Sequence, residues 1–137
     1  MDIGEIREGN EALFRRWIDD IWNKGSEQTI DELVSENVVV NYQFHIDKKP
    51  IIGREGYKEF VRFFRGIFAE IRVTIEDVVA DENKVVALCN LKLTRREEND
   101  SPPPSEPLTR SGLCQVIIEN DKIIQIWSNI DLFVLLN

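Results

Sequence analysis

The sequence predicts an α+β domain in which a curved antiparallel sheet wraps around helices that precede most of it in the chain. Apolar residues recur at helical spacing in two segments of the first half, whereas the second half contains alternating, strand-like runs. Two-residue turns separate several of these runs. Helices followed by a meander pack against one face of a single sheet, so we expect a small-molecule pocket between the two layers.

Composition places the chain among compact single domains, and we treat residues 1–137 as one domain. Hydrophobic residues make up 42% of it, with three Trp and seven Phe to build a core. The net charge of −8 disfavours nucleic acid and anionic membrane surfaces as partners. No run is apolar enough for a secretory signal or a bilayer span, so we expect a cytoplasmic protein.

Motifs for bound cofactors are missing from the sequence. The two cysteines, Cys89 and Cys114, lack further ligands at metal-binding spacing, and we expect free, buried thiols. There is also no Gly-rich phosphate loop and no nucleophile elbow. We therefore expect no metal and no cofactor, and any catalysis would be cofactor-free.

The first helix is predicted over residues 2–24, where apolar residues recur every three or four positions on one face. Asp2 is a suitable N-cap. Gly4 and Gly9 weaken the first turns, so a start nearer Asn10 is the alternative.

Two shorter elements and a second long helix follow. Thr29 and Glu32 predict a capped segment over Ile30–Leu33, and β-branched and aromatic residues predict a strand over Val38–Phe44. The second long helix opens at residues 53–55. Its apolar face is strongly aromatic, and most of these rings should be core, with one or two edges lining the pocket: Tyr57, Phe60 and Phe64.

Four strands complete the predicted sheet, and they cover residues 71–81, 84–96, 109–119 and 122–130. Glu82-Asn83 and Asn120-Asp121 form the predicted two-residue turns. The proline-rich stretch 97–107 cannot join a ladder and reads as a long exposed loop.

Register counted outward from the last turn places several functional groups on one face. If Asn120-Asp121 is a simple turn, the predicted pairs are Cys114 with Trp127, Gly112 with Asn129, and Arg110 with Asp131. That face would combine an aromatic wall with a carboxylate, an amide and a guanidinium, which suits a largely apolar pocket.

Register counted from Glu82-Asn83 raises a conflict. It places Glu76 on the face of Cys89 and the apolar Val73 and Ile75 on the other face. Either a β-bulge intervenes or both faces are buried. Burial of both faces would favour a homodimer, with a second subunit on the outer face. Cys89 would lie beside Cys114 only if the strands around the proline loop pair symmetrically.

Short motifs over nearly the whole chain resemble SnoaL-like polyketide cyclases of the nuclear transport factor 2-like superfamily. They are Trp22-Asn-Lys-Gly25, Ile51-Ile-Gly-Arg-Glu-Gly56, residues 71–81 and residues 121–131. The resemblance implies a cone-shaped α+β fold, usually dimeric, that holds an apolar ligand. It also implies cyclases, isomerases and hydrolases as relatives, beside proteins that only bind.

Asp131 matches the acid/base residue that the family's cyclases carry after the last-strand Trp. A Gly-Thr-His motif that these cyclases commonly carry has no counterpart in residues 93–100. Two functions therefore stay open: cofactor-independent acid/base catalysis on an apolar, carbonyl-containing metabolite, or binding of an apolar small molecule or a protein partner without chemistry.

The catalytic candidates are Asp131, as general base, and Arg110, which would polarise a substrate oxygen. The same pair would equally form a structural ion pair, because a guanidinium lowers the pKa of a neighbouring carboxyl. The ligand-binding candidates are aromatic or hydrogen-bonding side chains, each of which also fits a structural role: Trp127, Asn129, Tyr42, Trp17, Phe60, Phe64 and His45.

Overall fold

A computed structural model describes residues 2–42, 49–96 and 107–130. The helical elements are α1 (Ile3–Arg16), a π-helix (Trp17–Asn23), α2 (Glu27–Leu33) and α3 (Arg54–Ile67). The strands are β1 (Val34–Tyr42), β2 (Ile51–Ile52), β3 (Phe68–Ala80), β4 (Lys84–Arg95), β5 (Leu108–Glu119) and β6 (Lys122–Ser128). The predicted α+β cone is confirmed.

The six strands form one sheet in the order β2-β1-β6-β5-β4-β3. Strands β3 to β6 form an antiparallel meander, as predicted, but β1 runs parallel to β6. The sheet is therefore mixed rather than wholly antiparallel. A parallel neighbour requires a long connection, and α3 with β3 to β5 supplies it.

The helices pack on the inner face of the sheet and form the core with it. Rings from the helical layer are fully buried, among them Phe14, Trp17, Tyr57 and Phe64. Every second residue of β4, beginning at Val85, points into the same core. Among the residues described, no helix is both long and apolar enough to cross a membrane.

Helix starts follow from local capping. The Asp2 carboxylate accepts a hydrogen bond from the Glu5 amide at 2.8 Å, so α1 begins at Ile3 and the alternative start near Asn10 is wrong. The short second helix begins earlier than Ile30, because Ser26 rather than Thr29 is its N-cap. Its side chain accepts from the Thr29 amide at 3.2 Å.

Turns and bulges set the register of the sheet. Asn120 and Asp121 both have positive φ, 52° and 60°, as a type I′ hairpin turn requires. The predicted turn is therefore correct. However, a bulge interrupts the pairing of β5 with β6 between Ile117 and Ile118. It shifts by one residue every pair that lies farther from the turn.

A second bulge, between Ile75 and Asp77, resolves the conflict predicted for β3. It brings Ile75 opposite Cys89 and leaves Val73 buried on the inner face. Cys89 pairs with Gly112 rather than Cys114, so the symmetric register around the proline loop is wrong. The strand β1 starts at Val34, four residues before the predicted Val38, and β2 was not predicted.

Candidate functional site

A pocket lies between the helical layer and the inner face of the sheet. Its helical wall consists of Trp17, Ile18, Trp22, Tyr57 and Phe60, and its sheet wall of Ile71, Val73, Cys89, Leu91, Cys114 and Ile126. Ser128 and Ile130 complete the lining. The pocket contains about 580 Å³ of empty space, its opening to solvent included, of which the centre of a water molecule can reach about 60 Å³.

The π-helix builds the helical wall. In this geometry hydrogen bonds join residues five apart, so Trp17 and Trp22 lie one above the other on the same side. In an α-helix, at 3.6 residues per turn, the two rings would diverge by about 140°. The π-helix therefore delivers two indoles to one pocket, a feature typical of functional sites.

Tyr57 on α3 meets both indoles in the interior. Its hydroxyl oxygen accepts a hydrogen bond from Trp17 Nε1 at 3.1 Å. The Trp22 ring stands edge-on to Tyr57 and to Phe60, with centroid separations of 6.5 and 6.0 Å. The four aromatic side chains thus form one interlocked wall with a hydroxyl at its centre.

The Tyr57 hydroxyl is a hydrogen-bond donor at all physiological pH values. Burial raises its pKa well above the usual value, and the hydrogen bonds from Trp17 and Trp22 oppose that shift only in part. Indole N–H groups can only donate, so they occupy the oxygen's lone pairs and leave its proton. Within residues 2–42, 49–96 and 107–130, no group accepts that proton.

Two contacts fix the end of the π-helix. The Asn23 side chain donates to the Val73 carbonyl at 3.1 Å and accepts from the Val73 amide at 2.6 Å. It thereby pairs with β3, the edge strand of the sheet, as a neighbouring strand would. Arg65 Nη1 donates to the Trp22 carbonyl at 2.8 Å. Both contacts hold Trp22 in the wall.

The sheet wall adds two thiols and one hydroxyl. Burial raises the pKa of Cys89 to about 11. Burial also raises the pKa of Cys114, and the neighbouring Cys89 raises it further. Both thiols are free and protonated, and they act as small polarisable apolar groups. Ser128 Oγ accepts from the Ile130 amide at 3.2 Å.

The ligand-binding residues predicted on the helices lie in or beside the pocket. Trp17 and Phe60 line it. Phe64 is fully buried behind Phe60, at a centroid separation of 4.8 Å, and supports the wall without lining it. Sequence reasoning missed Trp22, whose signal was its five-residue spacing from Trp17, and left Tyr57 among the core rings.

The register predicted for the last hairpin is wrong. Because of the bulge, Ser128 rather than Trp127 pairs with Cys114, and Trp127 pairs with Gln115 on the outer face. Trp127 is 38% exposed and lies away from the pocket. Trp127 is therefore not part of the pocket wall that this register predicted.

Asn129 and Arg110 make backbone contacts instead. Asn129 Oδ1 accepts a hydrogen bond from the Leu113 backbone amide at 2.7 Å. The backbone amide of Asn129 donates to the Leu113 carbonyl at 3.1 Å. Arg110 is exposed, and its Nη1 donates to the Thr109 carbonyl at 2.8 Å. Neither side chain lines the pocket.

Three predicted site residues are not placed. Asp131 and His45 lie outside the described residues, and for Tyr42 only the backbone is described, paired with Ser128. In the described ranges, no cluster of three or more His, Cys, Asp or Glu could hold a metal ion. The pocket lining described above carries no charged side chain. The described lining residues offer apolar contact and hydrogen bonding.

Comparison with known families is decisive for classification. The sequence profile of the SnoaL-like polyketide cyclases matches residues 12–137. The chain belongs to this family. A comparison with curated proteins finds no match for it.

Solved structures share the SnoaL-like fold. A candidate SnoaL-like polyketide cyclase from Jannaschia sp. CCS1 is 16% identical, with a TM-score of 0.81, over 99% of this chain and 94% of its own. IdmH, a candidate polyketide cyclase from Streptomyces antibioticus, is 20% identical, with a TM-score of 0.77, over 92% and 94% of the two chains. AclR, a candidate hydroxylase from Streptomyces galilaeus, is 15% identical, with a TM-score of 0.74, over 98% and 80%. At these identities the likeness establishes the SnoaL-like fold alone.

Proposed function

We propose that this protein binds a neutral, flat, largely apolar small molecule that carries a hydrogen-bond acceptor. The observation that carries the proposal is the Tyr57 hydroxyl, a buried donor in the pocket whose oxygen is already occupied by Trp17. A carbonyl or ether oxygen on the ligand would accept its proton. The described residues offer this buried donor no acceptor, so a matching ligand would gain affinity by pairing with it.

Charge and shape both support this ligand class. Every residue lining the described pocket is uncharged, and desolvating an ion there would cost far more than apolar contact returns. The walls are aromatic rings on one side and strand side chains on the other. A space whose water-accessible part is about 60 Å³ suits a thin molecule better than a bulky one.

Chemistry on the bound molecule is the second candidate, and it rests on family membership together with Ile130. That residue lines the pocket, and Asp131 follows it directly in the chain. We propose that the Asp131 carboxylate removes a proton from a carbon beside a ligand carbonyl, and that Tyr57 donates to the resulting enolate oxygen. Attack of the enolate carbon on a second carbonyl of the same molecule would close a ring, and the new alkoxide oxygen would take the proton back from Asp131, which restores the carboxylate.

Arg110 has no part in this proposal. It is exposed, donates to its neighbour's carbonyl and does not line the pocket.

Matched ligands and a matched variant test the binding proposal. Tyr57→Phe removes the donor, and it also removes the acceptor of the Trp17 Nε1 hydrogen bond, while the ring that packs against the indoles is kept. We expect 2-acetylnaphthalene to bind the variant about 5- to 10-fold more weakly, the equivalent of one hydrogen bond of about 1 kcal/mol. We expect 2-ethylnaphthalene, which has no acceptor, to bind both proteins alike. Quenching of tryptophan fluorescence measures both affinities.

Equal losses for the two ligands would mean that Tyr57 shapes the pocket rather than donating to the ligand. Failure of either ligand to bind the wild type, with thermal melts showing a folded protein, would refute the proposal.

A separate assay tests catalysis. The test substrate is a linear methyl ester with three ketone groups, in which carbonyl carbons alternate with CH₂ groups. It is incubated with wild type and with Asp131→Asn, and the products are identified by mass and by ultraviolet absorbance. We expect cyclised product from wild type only, with unchanged binding of 2-acetylnaphthalene to the variant. Equal turnover by both proteins would refute the role of Asp131. Binding without turnover in the wild type would leave the binding function and refute the catalytic one.

A further inference from the structure

Ser128 carries the second hydroxyl group of the pocket. Tyr57 belongs to the helical wall, whereas Ser128 is the last residue of β6 in the sheet wall. The other lining residues are aliphatic, aromatic or cysteine side chains. Burial keeps the thiols of Cys89 and Cys114 protonated, and a protonated thiol hydrogen-bonds weakly. Among the described lining residues, the two hydroxyls are therefore the main groups that can orient a polar ligand.

The bulge in the last hairpin brings Ser128 to the inner face of the sheet. Beyond the bulge, Ser128 pairs with Cys114, which lines the pocket, and Trp127 lies on the outer face. In a hairpin without the bulge, Trp127 would pair with Cys114 and fill this part of the pocket. The bulge thus replaces a large indole by a small hydroxyl, which leaves room for a ligand. Bulges that redirect a side chain in this way are common beside binding sites.

The Ser128 hydroxyl keeps most of its hydrogen-bonding capacity. A serine hydroxyl has one proton and two lone pairs. One lone pair accepts the Ile130 backbone amide at 3.2 Å. Within residues 2–42, 49–96 and 107–130, no group uses its proton or its second lone pair. Ser128 can therefore either donate to a ligand oxygen or accept from a ligand hydroxyl.

The two hydroxyls lie at different depths in the pocket. Tyr57 is fully buried, and its neighbour Trp17 is 2% exposed. Of the described lining residues, three keep partial exposure: Trp22, Ser128 and Ile130. The pocket therefore reaches solvent beside these three residues. A bound molecule meets Tyr57 at the closed end and Ser128 nearer to the opening.

We propose that Ser128 selects ligands that carry a hydroxyl group at the end opposite the carbonyl bound by Tyr57. This inference rests on the binding function proposed above, and it narrows the ligand class to hydroxylated aromatic ketones. The carbonyl end enters first, because Tyr57 offers a proton at the closed end. A hydroxyl can pair with Ser128 in either direction, whereas a second carbonyl could only accept. Near the opening the hydroxyl also keeps part of its hydration, so the cost of desolvating it is small.

A purely structural role for Ser128 is the competing explanation. Its Oγ atom holds the backbone amide of Ile130, and Ile130 lines the pocket. Loss of that hydrogen bond would shift Ile130 and weaken every ligand by a similar factor. Loss of a specificity contact would instead weaken only ligands that carry the hydroxyl group. The two roles therefore differ in ligand selectivity, which binding measurements resolve.

Ligand pairs of matched shape test the proposal. Each pair is 2-acetylnaphthalene with a hydroxyl or a methyl group at the same carbon of the ring that lacks the acetyl group, and each carbon of that ring is tried in turn. Isothermal titration calorimetry, at a pH at which the naphthols are uncharged, measures affinity for wild type, Ser128→Ala and Ser111→Ala. Ser111 is the control, because its exposed hydroxyl donates to Asn90 Oδ1 instead of lining the pocket.

We expect wild type to bind the hydroxyl member of at least one pair more tightly than the methyl member. In Ser128→Ala the ratio of the two affinities should fall about 3- to 10-fold, the effect of one lost hydrogen bond. In Ser111→Ala the ratio should stay as in wild type. Unsubstituted 2-acetylnaphthalene should bind all three proteins alike.

Circular dichroism melts check that the variants fold, and the wild type alone decides the matter if Ser128→Ala does not. Tighter binding of the methyl member in every pair overturns the inference. An equal loss for all ligands in Ser128→Ala overturns it too, because Ser128 then acts only through Ile130. In both cases 2-acetylnaphthalene still binds the wild type, and the binding function stands. If 2-acetylnaphthalene itself does not bind, the binding function falls and the inference falls with it.

Discussion

Gly112 is the residue at which a single methyl group tests the geometry beside the pocket. It lies on β5 where the chain after β6 crosses closest to it. A Cβ atom added there would stand 2.5 Å from Ile130 Cγ1 and 2.6 Å from Asn129 Oδ1, whereas ordinary contacts begin at 3.4 Å. Gly112 has no positive φ, so space rather than backbone conformation requires glycine.

The neighbours cannot yield freely. Asn129 is bound to the Leu113 backbone by two hydrogen bonds, and Ile130 is part of the pocket lining. We expect Gly112→Ala to lower the free energy of unfolding by about 1–3 kcal/mol, the usual cost of overpacking. We also expect weaker ligand binding, because Ile130 must move.

Urea unfolding, followed by circular dichroism, measures the loss. Gly9→Ala is the matched control, because a Cβ there meets nothing within 4 Å in the exposed interior of α1. The control should gain roughly 0.5–1 kcal/mol from better helix propensity. In the double variant with Ile130→Ala, the cost of Gly112→Ala should shrink, since the nearest clashing carbon is gone. If Gly112→Ala proves as stable as wild type, the close approach of residues 129–130 to β5 is refuted.

Three further predictions concern the pocket walls. Asn23→Leu should lower the free energy of unfolding by about 2 kcal/mol, because it removes two hydrogen bonds to Val73 and leaves the backbone of an edge strand unpaired. Urea unfolding measures this loss, with Asn37→Leu at an exposed position as the control. Equal stabilities of the two variants would contradict the prediction. Cys89 should react with iodoacetamide at pH 8 about 100-fold more slowly than an unperturbed thiol, since its pKa of about 11 against an ordinary 9.0 leaves far less thiolate. Because the thiol ionises in the unfolded chain first, stability should fall as pH rises from about 9 toward 11. Alkylation followed by mass spectrometry, in native and in denatured protein, checks the rate, and equal rates would show that the thiol is not buried.

Local signals predicted much of the fold. The N-cap at Asp2 depends on a hydrogen bond from the Glu5 amide, three residues on, so the sequence was enough to place it. The sequence also placed the opening of α3, directly after Gly53. The Asn120-Asp121 turn was also predictable, because these residue types tolerate positive φ. The parallel pairing of β1 with β6 joins distant segments, and no local pattern encodes it.

The pocket depended on two departures from regular geometry. A single bulge in the last hairpin exchanged the faces of Trp127 and Ser128, because side chains alternate with a period of two. The widened turn of the π-helix aligned Trp17 with Trp22, which helical spacing would have separated. Both departures cost local regularity, and only packing of the whole chain selects them.

The sequence by itself determined the fold class, the aromatic character of the helical layer and the candidacy of Asp131, because composition, periodicity and motif are local properties. Tertiary structure alone decided that Trp127 faces outward, that Ser128 faces inward, and that the Tyr57 hydroxyl accepts a hydrogen bond from Trp17 in the pocket wall. The physical reason is that the face on which a side chain lies depends on strand register. The register in turn depends on where bulges allow a twisted sheet to pack against the helices it covers.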